Sequence, residues 1–138
     1  MRSVFQGLKV LDVGSWIAGP VAATIMADYG AEVIKIERAG VGDDSRGWGP
    51  PFVSLSAQER VATYFCSANR GKKSIELDIA KAEDRAEILK LVETADVFVE
   101  NFKAGSLARF GLDFESLSKL NPRLVYCSVT GFGQTGPY

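Results

Sequence analysis

The amino-acid sequence predicts an α/β fold: a doubly wound, mostly parallel sheet of Rossmann-like type, present in incomplete form. Three observations lead there. Short β-branched apolar runs alternate with stretches of helical periodicity, the runs are apolar along most of their length, and the connections between them are long enough for right-handed crossovers. With 46% hydrophobic and 24% charged positions, the 138 residues carry enough apolar content for one ordinary core and leave no room for a second full domain.

Residues 8–13 (LKVLDV), bounded by glycines, read as a first strand buried on both faces. Residues 19–29 follow with Val21, Ile25, Met26 and Tyr29 at helical spacing. Pro20 is tolerated in the first turn, where its missing N–H would have no helical partner, and Gly30 supplies the stop. Residues 31–37 (AEVIKIE) give a second strand, parallel to the first because a helix joins them. Residues 38–58 are dense in Gly, Pro, Asp and Ser and read as a long surface loop, with Trp48 and Phe52 suited to docking it.

Residues 60–68 read as a short helix and 73–77 (KSIEL) as a third strand. An amphipathic helix follows over residues 82–94, with Ala86, Leu89 and Val92 flanked by Ile88 and Leu91 on its apolar side. Residues 96–100 (DVFVE) are the fourth strand, 106–110 and 114–120 helical pieces split by Gly111, and 123–129 (RLVYCSV) the fifth strand. The sequence ends in a glycine-rich turn, GFGQTGPY, where open sheets of this class place active-site groups. Such an ending is expected of a truncated chain.

Composition excludes several functions. Sixteen Lys and Arg against seventeen Asp and Glu give a net charge of −1, which offers no broad basic footprint for nucleic acid. The absence of histidine removes Ser-His and Cys-His catalysis from these residues, along with the commonest metal ligand. Cys66 and Cys127 lie far apart in apolar settings and read as reduced core cysteines. No run of about 18 apolar residues appears, so a cytoplasmic protein without a membrane span is expected.

In an open parallel sheet the ligand lies beyond the C-terminal strand ends. The segments that follow strands bring Arg38, Arg46, Lys72, Lys73, Lys81, Lys103 and Arg109 to that edge, and the helix start near Gly19 adds N–H donors for an anion. Arg38 stands out. It follows Glu37 at the end of the second strand, where such folds read an adenosine ribose, and an arginine there points to a phosphorylated ribose. Glu37 on its own would suggest NAD, and with Arg38 it leaves NADP or another ribose-phosphorylated adenosine open, but the first turn reads GSWIAG, and the missing G-x-G-x-x-G speaks against both pyridine nucleotides. Trp16 and Ile17 in that turn either pack beneath the loop or line an apolar channel for an acyl arm.

At LKVLDVGSWIAGPVAATIMADYGAEVIKIERAGVGDDSRGW, NRGKKSIELDI, ADVFVENFKAGSLARFGLD and LNPRLVYCSVTGFGQTGPY, the sequence resembles the class III coenzyme A transferases, a family that includes formyl-CoA transferase, carnitine CoA-transferase and 2-methylacyl-CoA racemase. The resemblance implies that residues 1–138 are the N-terminal CoA-binding part of the large domain, with the smaller domain absent. It implies coenzyme A or acyl-CoA as substrate, no prosthetic group, a carboxylic acid as co-substrate, and an interlocked homodimer for the full-length protein. By the same matching, Ile17 and Ala18 fall at the thioester end, Arg38 at the 3′-phosphorylated adenosine, and Leu77, Asp78, Ile79 and Ala80 near the adenine. Asn101, Phe102, Lys103 and Arg109 fall along the pantetheine and phosphates, and Trp48 on a tryptophan that closes over the site in some members.

Ile17 replaces the glutamine of formyl-CoA transferase, so formate or oxalate is not the expected acid. The family's catalytic aspartate, a covalent nucleophile that forms an enzyme-bound anhydride, falls beyond Tyr138, and no carboxylate here takes its place. Residues 1–138 alone are therefore expected to be inactive, with CoA transfer the activity of the full-length enzyme. A racemase-type member, and a non-catalytic fragment that binds CoA or an adenosine phosphate, are the alternatives.

Overall fold

A computed structural model describes residues 3–57 and 59–137. Gln58, at the end of the expected loop, and Tyr138, in the final turn, lie outside the described residues. The strands are β1 (Lys9–Asp12), β2 (Glu32–Glu37), β3 (Phe52–Ser54), β4 (Arg60–Ala62), β5 (Lys73–Glu76), β6 (Val97–Glu100) and β7 (Val125–Ser128). The helices are α1 (Ala18–Asp28), α2 (Thr63–Asn69), α3 (Ala82–Thr94) and α4 (Phe114–Leu120).

Five strands form one parallel sheet in the order β5-β2-β1-β6-β7. The chain builds outward from β1 through β2 to β5, then crosses back to lay β6 and β7 on the other side. The order thus reverses at β1, and a crevice is expected where neighbouring connections diverge beyond its C-terminal end.

Both faces are covered, as the apolar runs required. Val10, Val33 and Val99 pack with Ala23 and Met26 of α1 on one face. Leu11, Ile36 and Phe98 pack with Ile88 and Val92 of α3 and Leu117 of α4 on the other. Side chains alternate along a strand, so each run feeds both layers. α1 ends in the Schellman pattern: the Gly30 N–H donates to Ala27 O at 2.9 Å and the Ala31 N–H to Met26 O at 3.0 Å. Gly30 sits at φ +94, a conformation that glycine adopts without steric cost.

Two segments differ from their sequence reading. The loop after β2 contains a 3-10 turn, Asp44–Gly47, and β3, which pairs antiparallel with β4. Residues 60–62 are therefore strand, and the helix expected over 60–68 is confined to α2. These three-residue strands are set by pairing across a hairpin, which local periodicity does not reveal. The helical piece expected over residues 106–110 is a single 3-10 turn, Ala108–Phe110, closed by Gly111 at φ +66. Among the described residues, no helix is long and apolar enough to cross a membrane. Cys66 and Cys127 are free and half-buried.

Candidate functional site

A crevice of about 350 Å³ opens where the strand order reverses, within the range of about 300–1,000 Å³ usual for ligand pockets. Its walls come from four connections: Gly14 to Trp16 after β1, Arg38 to Asp44 after β2, Leu77 to Ile79 after β5, and Asn101 with Phe102 after β6.

A buried charge cluster lies beneath the first turn. Lys35 and Asp12 are register partners in β2 and β1, and both are almost wholly buried. Lys35 donates to Gly14 O at 2.8 Å and pairs with Asp43 at 3.0 Å, while Lys72 pairs with Asp12 at 2.7 Å. Lys72 also donates to Pro20 O, Ala68 O and Asn69 Oδ1, so its ammonium has a full set of acceptors. Burial pulls the Lys72 ammonium below the ordinary lysine value, against the pull of Asp12. For Asp43 burial acts to raise the carboxyl pKa, but hydrogen bonds from Ser45 and the Lys35 ammonium outweigh it and hold the group low. Two ammonium groups and two carboxylates thus tie β1, β2, α2 and the loop after β2 into one unit.

That unit shapes the turn above it. The Gly14 N–H donates to Asp12 Oδ1 at 3.0 Å, and the Trp16 N–H donates to Asp43 Oδ2 at 3.2 Å. Trp16 has φ +68, unusual for a bulky residue and costing about 1–3 kcal/mol, a cost this hydrogen bonding offsets. Asn101 holds the turn from the other side: its Oδ1 accepts from the Ser15 N–H and its Nδ2 donates to Ser15 O, each at 2.8 Å. A Cβ at Gly14 would meet Asp12 Oδ1 and Pro20 Cδ at 3.1 Å and Asn101 Oδ1 at 3.2 Å. Gly14→Ala is therefore expected to destabilise the protein by about 1–3 kcal/mol through overpacking, read as a lower midpoint in thermal melting.

On the β2 side Glu37 is consumed internally. Burial alone would raise its pKa, but bonds from Arg46, Ser74 and the Asp43 amide bring it down to about 2. Arg46 reaches both Glu37 oxygens, at 2.7 and 2.6 Å, and stacks 3.9 Å from the Phe65 ring. Arg38, the next residue along, projects to the rim, and its Nη2 lies 2.6 Å from Asp44 Oδ1 with 58% of its side chain exposed. The Leu77 to Ala80 stretch is fixed from α3: Asp84 accepts from the Asp78 N–H at 2.8 Å, and Arg85 donates to Ile79 O at 2.9 Å and Ala80 O at 2.8 Å.

The model of CoA-transferase family III matches residues 5–138. The chain belongs to that family. Among curated relatives of this CoA-transferase family III chain, the succinate--glutarate CoA-transferase of Agrobacterium fabrum is 53% identical over 134 residues, covering 96% of this chain and 34% of the relative. The human succinyl-CoA:glutarate CoA-transferase is 47% identical, covering 96% and 29%. The acetyl-CoA:oxalate CoA-transferase of Acetobacter aceti is 47% identical, covering 99% and 33%. The chain therefore spans about a third of the length of the curated relatives it matches. A crystal structure of a CAIB/BAIF family protein from Brucella suis superposes with a TM-score of 0.95 at 49% identity, covering all of this chain and 36% of that one.

Eight of the residues singled out in this family III sequence line the crevice: Trp16, Glu37, Arg38, Leu77, Asp78, Ile79, Asn101 and Phe102. Ile17, Ala18, Ala80, Lys103 and Arg109 are exposed outside its lining. Ile17 caps α1, Ala18 opens it, and Arg109 stacks 4.5 Å from the Phe110 ring. Trp48 lies above the first turn, its ring 6.1 Å from Trp16 and 5.4 Å from Tyr64. Three cations grouped at the ligand edge belong elsewhere: Lys72 is in the buried cluster, Arg46 is held by Glu37, and Lys73 pairs with Glu32 at 2.6 Å. Asp12, Lys35, Asp43 and Asp44 were not singled out. A signal for the first two was present, since opposite charges stand inside neighbouring strands otherwise read as fully buried.

Proposed function

We propose that the protein binds the 3′-phosphorylated adenosine end of a CoA thioester in the crevice at β1, with Arg38 on the phosphate. In the whole protein this site serves CoA transfer from a thioester to a carboxylic acid. The carrying observation is Arg38 at the C-terminal end of β2, exposed on the rim of a crevice roomy enough for a ligand. Leu77 and Ile79, held in place from α3, and Phe102 give the crevice apolar lining suited to adenine. Ile17 and Ala18 stand at the thioester end, and Ala80, Lys103 and Arg109 extend the binding surface beyond the crevice.

The nucleophile of the reaction is a carboxylate outside residues 1–138. It attacks the thioester carbonyl and displaces the CoA thiolate, leaving an enzyme-bound anhydride. The thiolate attacks the enzyme's own carbonyl of that anhydride, releasing the donor acid and forming an enzyme–CoA thioester. The incoming carboxylate displaces the thiolate to form a second anhydride, whose acyl carbon the thiolate attacks to give the new CoA thioester and the free enzyme carboxylate. The names of the relatives above support a dicarboxylic acid as acyl donor or acceptor, and the oxalate in one of them stands against the expectation drawn from Ile17. Family resemblance supports an interlocked homodimer for the whole protein.

Calorimetry with CoA and 3′-dephospho-CoA tests the reading. A charge-assisted bond of about 1.5–3 kcal/mol gives the native protein a preference for CoA of about 10–100-fold. Arg38→Met is expected to abolish the preference while leaving dephospho-CoA affinity unchanged. Equal binding of the two ligands by the native protein contradicts the reading.

A further inference from the structure

We propose that Asp44 is a resident counter-anion that holds the place of the ligand's phosphate at Arg38 and is displaced when that phosphate binds, so that Asp44 sets affinity and relays occupancy to the first turn. The inference rests on the reading that the crevice takes a phosphate monoester at Arg38.

Two cations line the crevice among the described residues, Lys35 and Arg38. Lys35 cannot be recruited by a ligand: its side chain is 1% exposed, it pairs with buried Asp43, and moving it would strand charges without water. Arg46, close by, is fixed by both oxygens of Glu37. Arg38 and Asp44 differ in kind. Their side chains are 58% and 47% exposed, so their attraction is weak and their partners exchangeable. An incoming phosphate meets an Arg38 fork already paired with a carboxylate that lines the same crevice. Binding must break that pair, and an ionised Asp44 left nearby repels the phosphate.

Asp44 also touches the opposite wall. Its Oδ1 accepts from Arg38 at 2.6 Å, while its Oδ2 accepts from the Trp16 indole Nε1–H at 3.2 Å. One carboxylate therefore joins the phosphate end of the crevice to the turn that follows β1. Trp16 is positioned to respond, because its backbone stands in the left-handed region at φ +68 and its ring is half-exposed against Trp48. When phosphate takes Arg38, Asp44 swings toward solvent and the indole loses its acceptor, changing the environment of Trp16.

Titration of native protein, Asp44→Asn, Asp44→Ala and Arg38→Met with CoA and 3′-dephospho-CoA tests this. Both Asp44 variants are expected to bind CoA roughly three- to tenfold tighter than native, with dephospho-CoA shifted less than twofold. In a Trp48→Phe background, where Trp16 is the remaining tryptophan, CoA is expected to shift the emission and dephospho-CoA to leave it in place. Adding Asp44→Ala to that background gives the shifted emission without ligand. If both Asp44 variants bind CoA no tighter, or more weakly, while Arg38→Met still erases the phosphate preference, Asp44 is an orienting partner of Arg38 and the inference is overturned. If native protein shows no phosphate preference, the reading of the crevice itself fails.

Discussion

Lys72→Met loses about 3–5 kcal/mol of folding stability, a large part of the roughly 5–15 kcal/mol available to a domain. The side chain is 2% exposed, and its ammonium serves Asp12, two backbone carbonyls and Asn69. A methionine of similar length fills the volume but leaves the Asp12 carboxylate buried with Lys35 at 3.8 Å as its remaining ammonium neighbour. Urea unfolding followed by circular dichroism measures the loss. The double variant Asp12→Asn, Lys72→Met loses less than the two single losses together, because each single change strands the other's charge. A loss below about 1 kcal/mol in Lys72→Met would show that the cluster relaxes or hydrates at little cost.

The second large effect is a dependence on acid. Glu37 has an ordinary pKa of 4.5, and in the fold it lies at about 2, because the Arg46, Ser74 and Asp43 bonds outweigh the burial that would raise it. A carboxyl held below its unfolded value contributes stability that is complete above the unfolded pKa and disappears as pH falls through the folded one. The contribution here is about 3 kcal/mol, lost progressively between pH 4.5 and about 2. Glu37→Gln removes that dependence: native protein is the more stable near neutrality, and the two converge as pH approaches 2. Asp43 shifts in the same direction and persists in the variant, so the difference between the curves isolates Glu37. Curves that stay parallel across this window would contradict the assignment.

Both effects arise from residues whose types were visible in the sequence and whose partners were not. The strands of the sheet follow from short runs that are largely apolar in β1, β2, β6 and β7 and alternate in β5, and α3 follows from its periodicity over the same residues 82–94. Those signals are local. Arg46 and Glu37 lie nine positions apart in a stretch without periodicity, and their pairing depends on the 3-10 turn at Asp44–Gly47. Glu37 therefore looked available for a ribose hydroxyl, whereas Arg46 occupies both of its oxygens. Lys72 and Asp12 are 60 positions apart, and only packing of α2 against α1 brings them together. The place of Arg38 on the crevice was legible because position relative to a strand end carries it. Asp44 was not, since its two contacts require the loop to fold back over the first turn.

The deciding feature is where Arg38 points when a ligand is present. A crystal structure of the protein with CoA is the most direct measurement. The expected result has the adenosine against Leu77 to Ile79, and the 3′-phosphate within about 2.7–2.9 Å of the Arg38 guanidinium. CoA bound away from the β1 crevice, or bound in it with Arg38 still on Asp44 and the 3′-phosphate in solvent, would contradict the account.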